Sequence, residues 1–258
     1  MTKGIVIASA FLATSFAKLS IAAPSCGCVY PLDATAAQYS AFGAAPFPTI
    51  SGQTTMHHVL DTAGSGSASY YAFSSSAVTA IGGGQQGDIT LPSSGIVAFE
   101  IEISDYLSTD PSDSYDEGIA LQIRTGTDIL AVVGHQAVHP PYYAGARTVA
   151  VLLDSGTEVG SEETGTALPL SDTFRYGIYF NMDTLKMGYT INGVDKGYLS
   201  GNIPSDVSKV AIAVVGSSYA TSTENVLGEL VRTSLVTDAS VMNQPYPLGA
   251  LDICGNSI

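Results

Sequence analysis

The chain contains no tryptophan, only nine lysines and arginines, and three cysteines in 258 residues. The shortages of cations and of cysteine each close off a class of protein. A nucleic-acid-binding surface gains affinity by setting Lys and Arg against phosphates, and nine scattered cations beneath a net charge of −14 leave no basic patch for that purpose. Charged residues make up 12% of the chain, about half the usual share, so the Glu- and Lys-rich pattern of long helices is missing. No apolar run reaches the roughly 18 residues that a membrane-spanning helix needs. The cysteines Cys26, Cys28 and Cys254 have no evident fourth ligand and no zinc-knuckle spacing, which argues against a structural metal.

What is present is the patterning of strands. Glycine (27) and tyrosine (14) suit many short strands joined by turns. From Phe174 onward, Phe174, Tyr176, Ile178, Phe180 and Met182 alternate with Arg175, Gly177, Asn181 and Asp183. The alternation restarts with Leu185, Met187, Tyr189 and Ile191, and Asn192-Gly193 follows, a dipeptide that accepts positive φ at both central positions of a type I′ turn. A third short strand over 194–199 completes a meander with one buried face. Residues 96–103 show the same period, with Val97, Phe99, Ile101 and Ile103 on one face and Ala98, Glu100 and Glu102 on the other.

Further strands are expected over 54–60, 70–81, 119–123, 129–133 and 148–153, and residues 210–215 read as a fully covered strand. Residues 29–55 read as a loosely structured lead-in and 154–166 as a polar, acidic turn region. Residues 224–235 fit either a strand or a short helix. The sum is an all-β, antiparallel two-sheet β-sandwich in a single domain.

Residues 1–23 read as a signal peptide or N-terminal arm, leaving 24–258 as the sandwich. Lys3 supplies a positive start, residues 4–17 are apolar, and Ala17 or Ala23 suits cleavage. This predicts a secreted or cell-surface protein, with a virion as the alternative. In an oxidising compartment one N-terminal cysteine pairs with Cys254 and closes most of the domain into one loop; Cys28–Cys254 is the expected bond, with the choice between Cys26 and Cys28 left open by the sequence.

Two blocks resemble the SPRY family. The first is Ser94-Gly95-Ile96-Val97-Ala98-Phe99-Glu100-Ile101-Glu102-Ile103, similar to an early family strand. The second runs Tyr176-Gly177-Ile178 through Asp183 to Tyr189-Thr190-Ile191-Asn192-Gly193 and Gly197, similar to the family's core hairpin. The blocks and their spacing cover about residues 85–216. The resemblance implies a concanavalin A-like jelly roll and a non-enzymatic module whose ligands are held by loops at one end of the sandwich.

The expected function is therefore recognition of a carbohydrate or protein ligand, without catalysis and compatible with a homo-oligomer. A structural virion, phage or adhesin subunit is one alternative, and a polysaccharide-active hydrolase another. The expected ligand-binding residues are His139, Tyr142, Tyr143 and Arg147, in a Pro- and Gly-containing loop that offers aromatic faces and a cation; packing of the tyrosines onto the sheet is the competing reading. Asp110, Asp113 and Asp116 could hold calcium through hard oxygen ligands, and no other cofactor is expected. His135 and His139 stand four apart, but in a strand pattern without the glutamate of a zincin motif.

The enzyme alternative rests on Glu100 and Glu102. Residues i and i+2 of a strand point the same way, and retaining glycosidases need two carboxyl groups about 5 Å apart. Some glucanases of the same sandwich fold carry Glu-x-Asp-x-x-Glu on one strand, and Glu100-Ile101-Glu102-Ile103-Ser104-Asp105 has the acids at that spacing with exchanged identities. The competing reading is a solvent-facing edge of a half-buried strand. No Gly-x-Ser-x-Gly elbow supports a serine nucleophile.

Overall fold

A computed structural model describes residues 27–59, 68–104, 115–138, 145–166, 173–220, 227–228 and 230–258. The alternating segments assemble into two eight-stranded sheets. Sheet I runs β1 (Ala45–Pro46), β4 (Ala68–Phe73), β14 (Lys209–Ala220), β7 (Tyr115–Thr125), β8 (Asp128–Val138), β9 (Gly145–Asp154) and β10 (Thr157–Thr166), with β5 (Ile89–Thr90) beside β14. Sheet II runs β13 (Val194–Tyr198), β12 (Lys186–Ile191), β11 (Thr173–Asn181), β6 (Ile96–Ser104), β15 (Leu230–Val236), β3 (Thr55–Val59) and β2 (Thr49–Ser51), with β16 (Ala250–Leu251) beside β6. Neighbours are antiparallel except β1–β4 and β16–β6. The all-β sandwich expected from the period-two pattern is the observed fold.

The core lies between the sheets. Ile119, Leu121, Ile123, Val133, Leu152 and Val214 from sheet I meet Phe99, Ile101, Phe174, Ile178, Phe180 and Met187 from sheet II in one buried cluster. Each such side chain contributes about 1.5–3 kcal/mol of burial. The β12–β13 turn has the predicted geometry, with Asn192 at φ 45° and Gly193 at φ 79°. No helix among the described residues is long and apolar enough to cross a membrane.

Three local expectations are corrected. Residues 70–81 do not stay extended: after Phe73 the chain enters α2 (Ser75–Gly82), because the Ser74 side chain caps the Ser76 amide and Ala77, Val78 and Ile81 take helical rather than alternating spacing. Residues 154–166 are not merely a turn. Ser155 and Gly156, both at positive φ, make the turn, and the polar stretch after it is the edge strand β10. An edge strand keeps such a sequence because its outer rim faces water. The lead-in holds α1 (Ala36–Ala41), started by a capping box between Thr35 and Gln38. Residues 230–236 resolve as strand β15.

The last segment, residues 237–258, lies on the outer side of sheet II, where Met242, Tyr246 and Ala250 pack with Ile96, Ala98 and Tyr179. The Asp252 carboxylate organises its end, accepting from the amides of Cys254 (2.9 Å) and Asn256 (2.8 Å) and from Ala239 N (3.1 Å). The expected disulfide Cys28–Cys254 joins that turn to the start of the domain across 226 residues. By loop-closure entropy such a bond stabilises by about 5 kcal/mol.

Candidate functional site

Outward-pointing polar residues mark two faces. On sheet II, Glu100, Glu102 and Arg175 stand side by side because β6 and β11 pair Arg175 with Glu102 and Gly177 with Glu100. Arg175 donates from Nη1 to Glu100 Oε1 (2.6 Å) and from Nε to Glu102 Oε2 (2.7 Å). The Tyr246 hydroxyl donates to Glu100 Oε2 (3.0 Å), and Arg175 Nη1 also reaches the Val241 carbonyl (3.2 Å). Glu100 is 0% exposed while the Glu102 side chain keeps 33%. Burial raises the Glu100 pKa, against the opposing pull of Tyr246 and Arg175. The carboxylates do share a face, as their spacing predicts. Neither earlier reading of Glu100 survives, because it is neither solvent-facing nor open to a substrate.

On sheet I the odd-numbered side chains of β7 enter the core and leave Ala120, Gln122 and Arg124 half-buried on the outer face. Strand registers extend that face sideways. One cross-strand row is Tyr71, Val215, Ala120, Gly134, Val149 and Glu163; the next is Phe73, Ala213, Gln122, Val132, Val151 and Ser161. A third is Ser217, Gly118, Gln136 and Arg147. Small residues therefore floor the middle of the face. At Gly134 they must, since a Cβ would come within 2.0 Å of the Ile119 carbonyl oxygen.

The helices wall one side. Val78 of α2 packs on Phe73 and Ala213, Ala77 and Ile81 on Ala211, and Tyr39 of α1 joins Phe73. Tyr71 stacks on Phe73 with ring centres 5.6 Å apart and planes 6° from parallel. One row further along β7 than Phe73 and Gln122, Arg124 donates from Nη1 to Gln122 Oε1 (3.1 Å) and from Nη2 to the Thr127 carbonyl. Its Nε has no partner among the described residues. Burial lowers the guanidinium pKa, while the neighbouring Tyr71 and Asp128 oppose that shift.

At the far side of the face Arg147 donates from Nε (3.1 Å) and Nη2 (2.6 Å) to Gln136 Oε1, and from Nη1 to Glu163 Oε1 (2.8 Å).

Of the residues expected to bind ligand, only Arg147 is described, on β9. His139, Tyr142 and Tyr143 lie outside the described residues, as do Asp110 and Asp113 and the side chain of Asp116. His135 faces the core, 3.2 Å from Glu117 with both side chains at 0% exposure, and packs on Phe174 and Tyr176. Among the described residues one group brings metal-type ligand atoms within 4.8 Å, namely Cys28, Asp252 and Cys254. Its sulfurs are bonded to each other and its carboxylate is engaged by backbone amides. Sequence reasoning missed Tyr71, Gln122, Arg124 and Gln136. The available signal was the polar set at alternate positions of β7 and β8, Gln122, Arg124 and Gln136.

Residues 166–256 match a family model described as a domain of unknown function (DUF4882). No curated protein matches the chain significantly. Similar solved structures include alginate lyase PA1167 from Pseudomonas aeruginosa, at 10% identity over 78% of this chain and 87% of that one, TM-score 0.43. Others are the family-7 alginate lyase A1-II′ (12% identity, 73% and 79% covered, TM-score 0.39) and a native glycosidic hydrolase (11%, 73% and 77%, 0.40). At such identities the likeness concerns only the fold, the two-sheet β-sandwich described above. The expected non-enzymatic recognition module is not what these similar structures are: they are alginate lyases and a glycosidic hydrolase.

Proposed function

We propose that the chain is a polysaccharide-active enzyme that holds its substrate across the outer face of sheet I. The observation that carries this reading is the grouping of Tyr71, Gln122 and Arg124 on a half-buried face with a small-residue floor and an aromatic edge. An aromatic ring stacks on the apolar face of a sugar, and an amide and a guanidinium fix its oxygens. Arg124, positioned by the Gln122 oxygen and the Thr127 carbonyl, presents a fixed positive charge where negative charge develops on a substrate oxygen. Tyr71, beside that cation, is the candidate to pass a proton during cleavage of the linkage.

The alternative catalytic pair, Glu100 and Glu102, is disfavoured by the full burial of Glu100 beneath Tyr246 and Arg175. The Cys28–Cys254 disulfide supports a secreted enzyme meeting its polymer outside the cell. Within the superfamily, the blocks around 94–103 and 176–197 support a SPRY-like scaffold, on which the chemistry does not depend. The test is product release from a panel of neutral and acidic polysaccharides, read both as new reducing ends and as absorbance of unsaturated sugars. Tyr71→Phe keeps the ring and removes the hydroxyl, so kcat should fall about 10²–10⁴-fold with KM little changed. Turnover of the panel by Tyr71→Phe at the wild-type rate, or no turnover of any polymer by the wild type, would overturn the proposal.

A further inference from the structure

We propose that the far side of this same face, at Arg147, is a subsite for a carboxylate-bearing sugar, and that Glu163 occupies the carboxylate's position in the free protein. The inference rests on the reading of this face as the substrate face and adds the class of substrate. In a chain with nine lysines and arginines and a net charge of −14, two arginines stand on this one outer face. Long-range attraction of a polyanion by such an acidic chain is absent, so a uronic acid must be recognised by local, oriented donors.

Arg147 is built that way. Gln136 Oε1 accepts from both Nε and Nη2 and fixes the plane of the guanidinium, which leaves Nη1 to the Glu163 carboxylate at 2.8 Å. The two partners differ in permanence. Gln136 is half-buried on a central strand, whereas Glu163 lies on the edge strand β10 with its side chain 58% exposed, against 41% for Arg147. An exposed ion pair of this kind is weak and screened by water, so an incoming carboxylate with additional sugar contacts can replace Glu163 without disturbing the fork held by Gln136. Glu163 thereby shows the chemistry that Nη1 accepts: one carboxylate oxygen at the rim of the floored strip.

The test is equilibrium binding to full-length Tyr71→Phe protein, which slows turnover. The probes are a uronic-acid oligosaccharide, a neutral glucan oligosaccharide of equal length, and a sulfated one. Arg147→Ala should weaken uronate binding by about tenfold or more, as for a lost charge-assisted hydrogen bond, and leave neutral binding unchanged. Glu163→Gln, which removes the competitor, should tighten uronate binding about two- to fivefold. Arg147→Lys should rescue little, because an ammonium cannot keep both the Gln136 fork and a free donor in plane.

Equal binding of uronate and neutral sugars, or uronate binding indifferent to Arg147→Ala and Glu163→Gln, would overturn the subsite while leaving the substrate face intact if Arg124→Ala still lowered kcat. A sulfated sugar that binds as tightly and responds identically overturns the carboxylate assignment. Absence of binding by all three probes would overturn the substrate face itself, and the subsite with it.

Discussion

The outer faces of the two sheets come from the same alternation and end in opposite chemical states. On sheet II, Arg175 is held by two carboxylates, and residues 237–258 lie over it. On sheet I, the hydrogen-bond partners of Arg124 among the described residues are neutral oxygens, those of Gln122 and Thr127, and the strip over β7, β8 and β9 stays half-exposed. The difference lies in what the neighbouring strands offer. Gly177 and Gly188 make sheet II low enough to receive Tyr246 and Tyr179: a Cβ at Gly177 would meet the Tyr246 hydroxyl at 2.3 Å, and one at Gly188 the Tyr179 ring at 2.2 Å. Sheet I has its helices over β14, where Ala211 and Ala213 admit them, and no described segment over β7 to β9. One arginine is therefore a structural ion partner, and the other hydrogen-bonds only neutral oxygens among the described residues.

Removing each arginine tests that distinction most strongly. Arg124→Ala should reduce kcat about 10²–10³-fold, the scale of losing one preorganised charge-stabilising donor, while the melting temperature moves little. Arg175→Ala should do the reverse. It leaves Glu100 buried without its cation, held by Tyr246 and the Gln244 backbone, which costs about 3 kcal/mol of stability in denaturant unfolding, and the protein that remains folded turns over substrate normally. If Arg175→Ala removed activity from folded protein, the two faces would have exchanged roles.

A smaller effect is expected from packing alone. Gly177→Ala places a methyl group against Tyr246 and the Thr190 side chain and should cost about 1–3 kcal/mol, by lifting the C-terminal segment off sheet II. The readout is faster hydrogen exchange at residues 237–258 with sheet I unchanged. An unaltered exchange pattern would mean that the segment does not depend on the glycine for its seat.

How far the sequence reached follows the same contrast between local and assembled features. The meander over β11 to β13 was legible because each strand and its Asn-Gly turn are contiguous, and the period alone assigns the buried face. The disulfide was legible because cysteines occur only at the two ends of the chain. Glu100 was misread. Its burial comes from Tyr246, which is remote in sequence, and nothing local to β6 announces that cover. The candidate site was harder still. Tyr71, Gln122, Gln136 and Arg147 belong to four strands, and only the pairing order β4-β14-β7-β8-β9 sets them on one face. Arg147 was found through its sequence neighbours Tyr142 and Tyr143, not through Gln136, the partner that orients it.

The smallest predicted effect separates the faces by pH. Burial raises the folded-state pKa of Glu100 above its ordinary value of 4.5, so between that value and the raised one the folded protein binds more protons than the unfolded chain. Stability from this group is then fully present below the ordinary value and declines as pH rises through the folded pKa. Asp33 acts in the opposite sense: the Ser75 amide donates to it and lowers its pKa, so its contribution is present above the ordinary carboxylate range and declines as pH falls. The two trends overlap in the wild type, and the difference between wild type and Glu100→Gln isolates the first. That difference should shift against the wild type as pH is raised from 4 towards neutrality, by roughly 1.4 kcal/mol for each pH unit of the window at most. A difference that stays flat with pH would mean that Arg175 and Tyr246 fully offset the burial of Glu100, leaving the sealed face electrostatically as relaxed as the open one.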